Sequence, residues 1–153
     1  MSKKIALTNM DIVWEDKEAN KFQCEEMIQE AADEHADIIL FPEMTLTGFS
    51  LRVKEMADYH EETIAYFSAL AAKYSIMIGF GYITMPDEFG RNHFCFVDEN
   101  GPILSEYRTE YIGDSNVDPD ILCMCVDWDH NEFSYHLVSD LVSSTGLSNS
   151  AIY

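Results

Sequence analysis

The stretch Ala36-Asp37-Ile38-Ile39-Leu40-Phe41-Pro42-Glu43-Met44 constrains this chain more than any other. Its apolar run, Ile38 to Phe41, has no polar face, so it reads as a strand buried on both sides. Pro42 carries no N–H for a sheet, and pairing is expected to stop there. Glu43 then stands at the carboxyl end of a buried strand, where open α/β sheets bind their ligands. A carboxylate in that place is partly desolvated, which is how a general base acquires a raised pKa.

The 153 residues, 47% of them apolar, suffice for one folded domain with a core. No apolar run reaches the roughly 18 residues of a membrane span. The basic start, Met1-Ser2-Lys3-Lys4-Ile5-Ala6-Leu7, is broken by Asn9 and Asp11 and does not read as a secretory signal. The four cysteines (Cys24, Cys95, Cys123, Cys125) are therefore expected to be reduced thiols in a cytoplasmic protein. A net charge of −19 argues against nucleic acid and anionic membranes as partners, because both select clustered Lys and Arg.

That charge is unevenly placed. Residues 109–153 hold eight of the 28 acids and none of the nine Lys and Arg. We therefore divide the chain into 1–108 and a divergent acidic tail, 109–153, whose end, Val142 to Ser150, has the composition of a disordered terminus.

Before residue 109 the patterning is clear. Ile5 to Ile12 reads as a first strand, and Asp16 as a helix N-cap. Asn20, Cys24, Met27, Ile28, Ala31 and His35 follow at helical spacing on one face. After the Glu43 strand comes a loop in which Gly48 can take a positive φ. A helix is expected from His60 to Tyr74, burying Ile64, Phe67, Ala71 and Tyr74. Ile76 to Ile83 is a strand whose glycines, Gly79 and Gly81, let another backbone or a ligand come close. Asn92 to Val97 and Ile103 to Arg108 flank Asp98-Glu99-Asn100-Gly101, a hairpin signal. The order βαβαβββ implies an α/β fold, a mixed sheet with helices on one face and a second face that needs covering. Beyond Arg108, Ile121 to Val126 and Phe133 to Leu141 are the only strand-like runs.

Three further groupings read as structure. Cys123 and Cys125 with His130 and His136 have zinc-ligand types, but their spacing fits no common structural zinc pattern. Asp114 to Asp120 lacks the pattern of a calcium loop. Phe94, Phe96, Tyr107 and Tyr111 read as core and hairpin pairs. No metal and no organic cofactor is expected.

Residues 4–108 resemble the nitrilase superfamily of carbon–nitrogen hydrolases, in particular its ω-amidase-like and aliphatic amidase-like branches. The matching pieces are Lys4 to Asp11, the Ala36 to Met44 block with Gly48-Phe49, the Gly79-Phe80-Gly81 strand, and the hairpin ending Leu104-Ser105-Glu106-Tyr107-Arg108. The resemblance implies half of an α-β-β-α sandwich and hydrolysis of a small amide or related non-peptide C–N bond, with ammonia released. It also implies a Glu-Lys-Cys triad, in which the glutamate is the base for a thiol nucleophile and the lysine stabilises the tetrahedral intermediate.

Glu43 matches the family's glutamate. Thr109 occupies the place of its lysine, in the run Tyr107-Arg108-Thr109-Glu110-Tyr111. Two segments compete for the nucleophile. Cys125-Val126-Asp127-Trp128-Asp129-His130-Asn131-Glu132 matches the motif's Cys, Asp and final Glu but comes early in the chain. Val138-Ser139-Asp140-Leu141 is better spaced but has Val138 where the cysteine belongs. The resemblance fades where the basic side chains end, so the sequence reads as a family member truncated or frame-shifted after about residue 108. Little or no activity is expected of it. The rival expectations are an inactive interaction or regulatory subunit that pairs with a full-length paralogue, and a non-functional gene fragment. Assembly with itself or with a relative stays open.

Overall fold

The computed structural model describes residues 3–108. The expectations placed on Thr109, Tyr111, Asp114 to Asp120, Cys123, Cys125, His130, His136 and Val138, and on the strands at 121–126 and 133–141, lie outside the described residues.

The chain starts with β1 (Ile5–Leu7), α1 (Lys17–Asp33) and β2 (Ile38–Leu40). The strand β1 is shorter than the expected Ile5 to Ile12. Thr8 turns both its backbone N–H and its hydroxyl onto the Leu40 carbonyl, at 3.1 and 2.8 Å. The chain then leaves the sheet to follow α1, where the Asn20 amide accepts from Val13 N and Gln23 donates to the Asp11 carbonyl.

The helix α1 starts as read: the Asp16 carboxylate accepts from the Ala19 N–H at 2.9 Å. Its stripe buries Asn20, Cys24, Ile28 and Ala31. His35 does not belong to it. The helix ends at Asp33, and His35 follows at φ 58°, exposed.

A short helix the sequence reading lacked, α2 (Val53–Met56), comes before α3 (Glu62–Tyr74). The latter starts two residues later than expected. The Asp58 carboxylate accepts the N–H groups of His60, Glu62 and Thr63 at 3.1, 3.0 and 2.6 Å, and Glu61 stands at φ 58°. This capping fixes where helical bonding begins. The buried face is Thr63, Phe67, Leu70 and Ala71, with Ile64 and Tyr74 half-buried beside it.

Three strands complete the sheet: β3 (Met77–Thr84), β4 (Arg91–Val97) and β5 (Ile103–Arg108). Their order in space is their order in sequence, β1-β2-β3-β4-β5. β1, β2 and β3 run parallel, while β3–β4 and β4–β5 are antiparallel. The expected hairpin joins β4 to β5, closed by Gly101 N to Asp98 O at 2.9 Å, with Gly101 at φ 105°.

Register sorts the side chains. Ile39, Ile78, Phe80, Tyr82, Cys95 and Val97 face α1 and α3 and form the main core with Cys24, Ile28, Phe67 and Ala71. Phe67 of α3 stacks on Phe80 of β3 with centroids 4.2 Å apart. Each ring contributes about 1.5–3 kcal/mol by burial. On the other face a smaller cluster of Met44, Val53, Ala57 and Ile83 covers one end of the sheet. Leu7 and Tyr107 share that second face by register, and they are 77% and 42% exposed. Among the described residues no helix is long and apolar enough to cross a membrane.

Candidate active site

Glu43 lies just past β2, as the Pro42 stop predicts, and its setting follows from a slip in the sheet ladder. Phe41 N donates to Gly79 O at 2.8 Å. The next matching carbonyl on β3, Gly81 O, is taken by Thr45 N at 3.0 Å. A regular parallel ladder advances two residues on each strand between such bonds. Here β2's side advances four, so Pro42-Glu43-Met44 is looped out with Glu43 at its centre. Met44 takes φ 48°, a left-handed turn that the sequence did not signal.

Thr45 holds the loop closed. Its hydroxyl, fully buried, donates to Pro42 O at 2.7 Å and accepts from Gly81 N at 3.0 Å. Gly81 makes this close approach possible. A Cβ there would stand 2.6 Å from Met44 N and 2.9 Å from Glu43 Cα. Of the two glycines expected to admit another backbone or a ligand, Gly81 admits a backbone. The space at Gly79 is taken by side chains, Phe96 and Leu40.

The Glu43 side chain is half-buried and is met by Asn92 of β4, whose Nδ2 donates to Oε1. Sequence reasoning placed Asn92 only as a strand start. Nothing local marks it, because the contact bridges 49 residues.

Neighbouring loops are tied to the same end of the sheet. Asn20, fully buried on α1, donates to Val13 O and Leu46 O at 2.7 and 2.8 Å. Glu15 accepts from the Ser50 hydroxyl at 2.5 Å and from Arg52 Nη1 at 2.6 Å. Gly48 takes the expected positive φ, 67°, with Ile12 and Trp14 packed over it.

The two cysteines among the described residues are not nucleophiles. Cys24 and Cys95 are fully buried in the core, and burial pushes both thiols up to about 12. Cys125, the sequence candidate, lies outside the described residues. Also among the described residues, no three His, Cys, Asp or Glu are grouped to hold a metal ion.

A separate polar cluster lies on the helix side of the sheet. His93 Nδ1 is 2.6 Å from Glu106 Oε1, and its Nε2 is 2.8 Å from Thr84 Oγ1. The Tyr82 hydroxyl donates to the same Glu106 oxygen at 2.5 Å. Burial holds the imidazole below its usual pKa, against the opposing pull of Glu106. His93 and Asn92 are successive residues, so they point to opposite faces, and this cluster does not join Glu43.

A looped-out glutamate at the end of a parallel strand, clamped by a threonine and a glycine, is the geometry of this site. Comparison with known proteins gives the family and the fold. The family model for carbon-nitrogen hydrolases matches residues 4–117. The chain belongs to the carbon-nitrogen hydrolase family. An ω-amidase, YafV of Yersinia enterocolitica, is 27% identical over 101 residues, covering 66% of this chain and 39% of that protein.

Solved structures share the fold. A carbon-nitrogen hydrolase from Helicobacter pylori G27 superposes with a TM-score of 0.65 at 16% identity, over 76% of this chain and 42% of its own. A double mutant of the amidase from Nesterenkonia sp. AN1, in complex with acrylamide, gives 0.65 at 18% over 74% and 45%. That amidase is of the nitrilase superfamily. This carbon-nitrogen hydrolase chain therefore spans less than half the length of the relatives it matches.

Proposed function

We propose that the fold carries the site of a small-amide hydrolase, with Glu43 as the general base for a thiol nucleophile. The observation behind this reading is the Glu43 loop: its backbone is pinned by Thr45 and Gly81 and its carboxylate is met by Asn92. A half-buried, preoriented carboxylate is suited to taking a proton from a thiol. The named activity of the Yersinia relative and the acrylamide bound to the Nesterenkonia enzyme support short amides as the substrate class.

Turnover by the sequence as it stands is low in this reading. Thr109 stands where the family's lysine is expected, which removes the cation that would stabilise the tetrahedral oxyanion, and Cys125 comes early in the chain. Loss of a nucleophile alone costs about a million-fold in kcat. The test is ammonia release from acrylamide and from short ω-amides of dicarboxylic acids. The proposal expects release at, or barely above, the rate of the buffer blank. Release well above it, and abolished by Glu43→Gln, would show that the base works here despite Thr109.

A second reading is favoured by the sheet face opposite the helices, where Leu7 and Tyr107 are exposed. In it the chain is an inactive subunit that covers this face by docking on a full-length relative. Co-purification with such a relative supports it. A monomer at all concentrations, in the relative's presence, removes it.

A further inference from the structure

We propose that Asn92 is a positioning residue for Glu43, acting on the carboxylate that the proposed function reads as the base. Two strands share the task of placing this side chain. β3 sets the backbone through the Thr45–Gly81 bonds on one side and the Phe41–Gly79 bond on the other. Those bonds leave the side-chain torsions of Glu43 unset. β4 acts on them, because Asn92, 7% exposed and in register with Ile83, donates its amide to Oε1.

The chemistry follows from the donor type. An N–H given to a carboxylate favours its ionised form, the form that can take a proton. Asn92 is a neutral donor, so its own bond orients the carboxylate without adding an opposite charge. Asn92 is buried on β4 and its backbone pairs with Ile83 of β3, so the sheet holds its main chain, as a positioning group requires.

The experiment is a pH titration by NMR of the full-length chain, following the Glu43 side-chain carboxyl carbon and the Asn92 side-chain NH2 group. In the unsubstituted protein both signals are expected to move with one shared midpoint, and Glu43→Gln should remove that step from the Asn92 signal. In Asn92→Leu the Glu43 midpoint should move to higher pH. In Asn92→Asp it should move further, because two adjacent carboxyl groups resist joint ionisation. An Asn92 signal that ignores the Glu43 titration, or a Glu43 midpoint unchanged in both variants, overturns the proposal. The first comparison needs no substitution at Asn92, so misfolding of a variant cannot hide the answer. None of these readings depends on turnover, so the base reading can fail in an ammonia assay while this coupling stands, and the reverse.

Discussion

Gly81 lies so close beneath Glu43 that a methyl group on it would stand 2.9 Å from the Glu43 α-carbon and 2.6 Å from the next nitrogen, that of Met44. Gly81→Ala must therefore push the loop away from β3 and break the Thr45 bonds. Overpacking of this kind costs about 1–3 kcal/mol. Gly79→Ala is the control, since its methyl meets the side chains of Leu40 and Phe96 rather than backbone. We expect chemical denaturation to show a larger loss for Gly81→Ala than for Gly79→Ala.

Asn20→Ala should loosen two loops at once. The side chain satisfies Val13 N, Val13 O and Leu46 O from a fully buried position. Leaving such groups without a partner costs about 1–3 kcal/mol. The expected result is a lower denaturation midpoint together with faster hydrogen exchange at Val13 and in the segment from Thr45 to Gly48. Exchange unchanged in that segment would show that Asn20 does not hold it.

Asp58 caps α3, and its loss should be felt most above the carboxylate range. Burial alone would raise its pKa, but the N–H groups of Thr63, His60 and Glu62 outweigh burial and leave it below the usual value. A depressed folded-state pKa means stability that is present above the unfolded value of about 4 and lost as pH falls through the folded one. Asp58→Ala should cost about 1–2 kcal/mol at pH 7. The gap from the unsubstituted protein should narrow below about pH 4, which denaturation at several pH values will read.

His93 gives a separate acid response. Its pKa is held low by burial first, with Glu106 pulling the other way and Arg108 and Arg91 adding to the depression. The unfolded chain then binds a proton more readily than the folded one. Stability should be full above about pH 6.5 and fall as pH drops from there toward the folded pKa. His93→Gln should flatten that limb, and Glu106→Gln should move the imidazole midpoint, read by NMR, to still lower pH.

How legible this molecule was in its sequence depends on the range of each contact. The Asp16 cap, the α1 stripe as far as Ala31 and the β4–β5 hairpin rest on residues a few positions apart, and the structure has them as the sequence predicts, while His35 falls beyond the helix end. Glu43 likewise stands after a strand that Pro42 ends. The end of β1 was misread because Thr8 is drawn to a carbonyl 32 residues away. The start of α3 was misread because Asp58 reaches forward to cap it. Asn92 and Thr45 had no local signal as site residues, since their roles exist only once β3 lies between β2 and β4. The glycines of β3 did announce a close approach, but not that only Gly81 would meet backbone.

A well-seated glutamate stands on a carbon-nitrogen hydrolase scaffold, and we propose that the sequence does not supply its catalytic partners in place. Mass spectrometry of the intact chain after incubation with a short amide tests it most directly, by looking for an acyl group bound as a thioester to cysteine. The account predicts an unmodified mass, with Cys125 alkylated at the same rate with and without the amide. An acyl adduct mapped to Cys125 would contradict it.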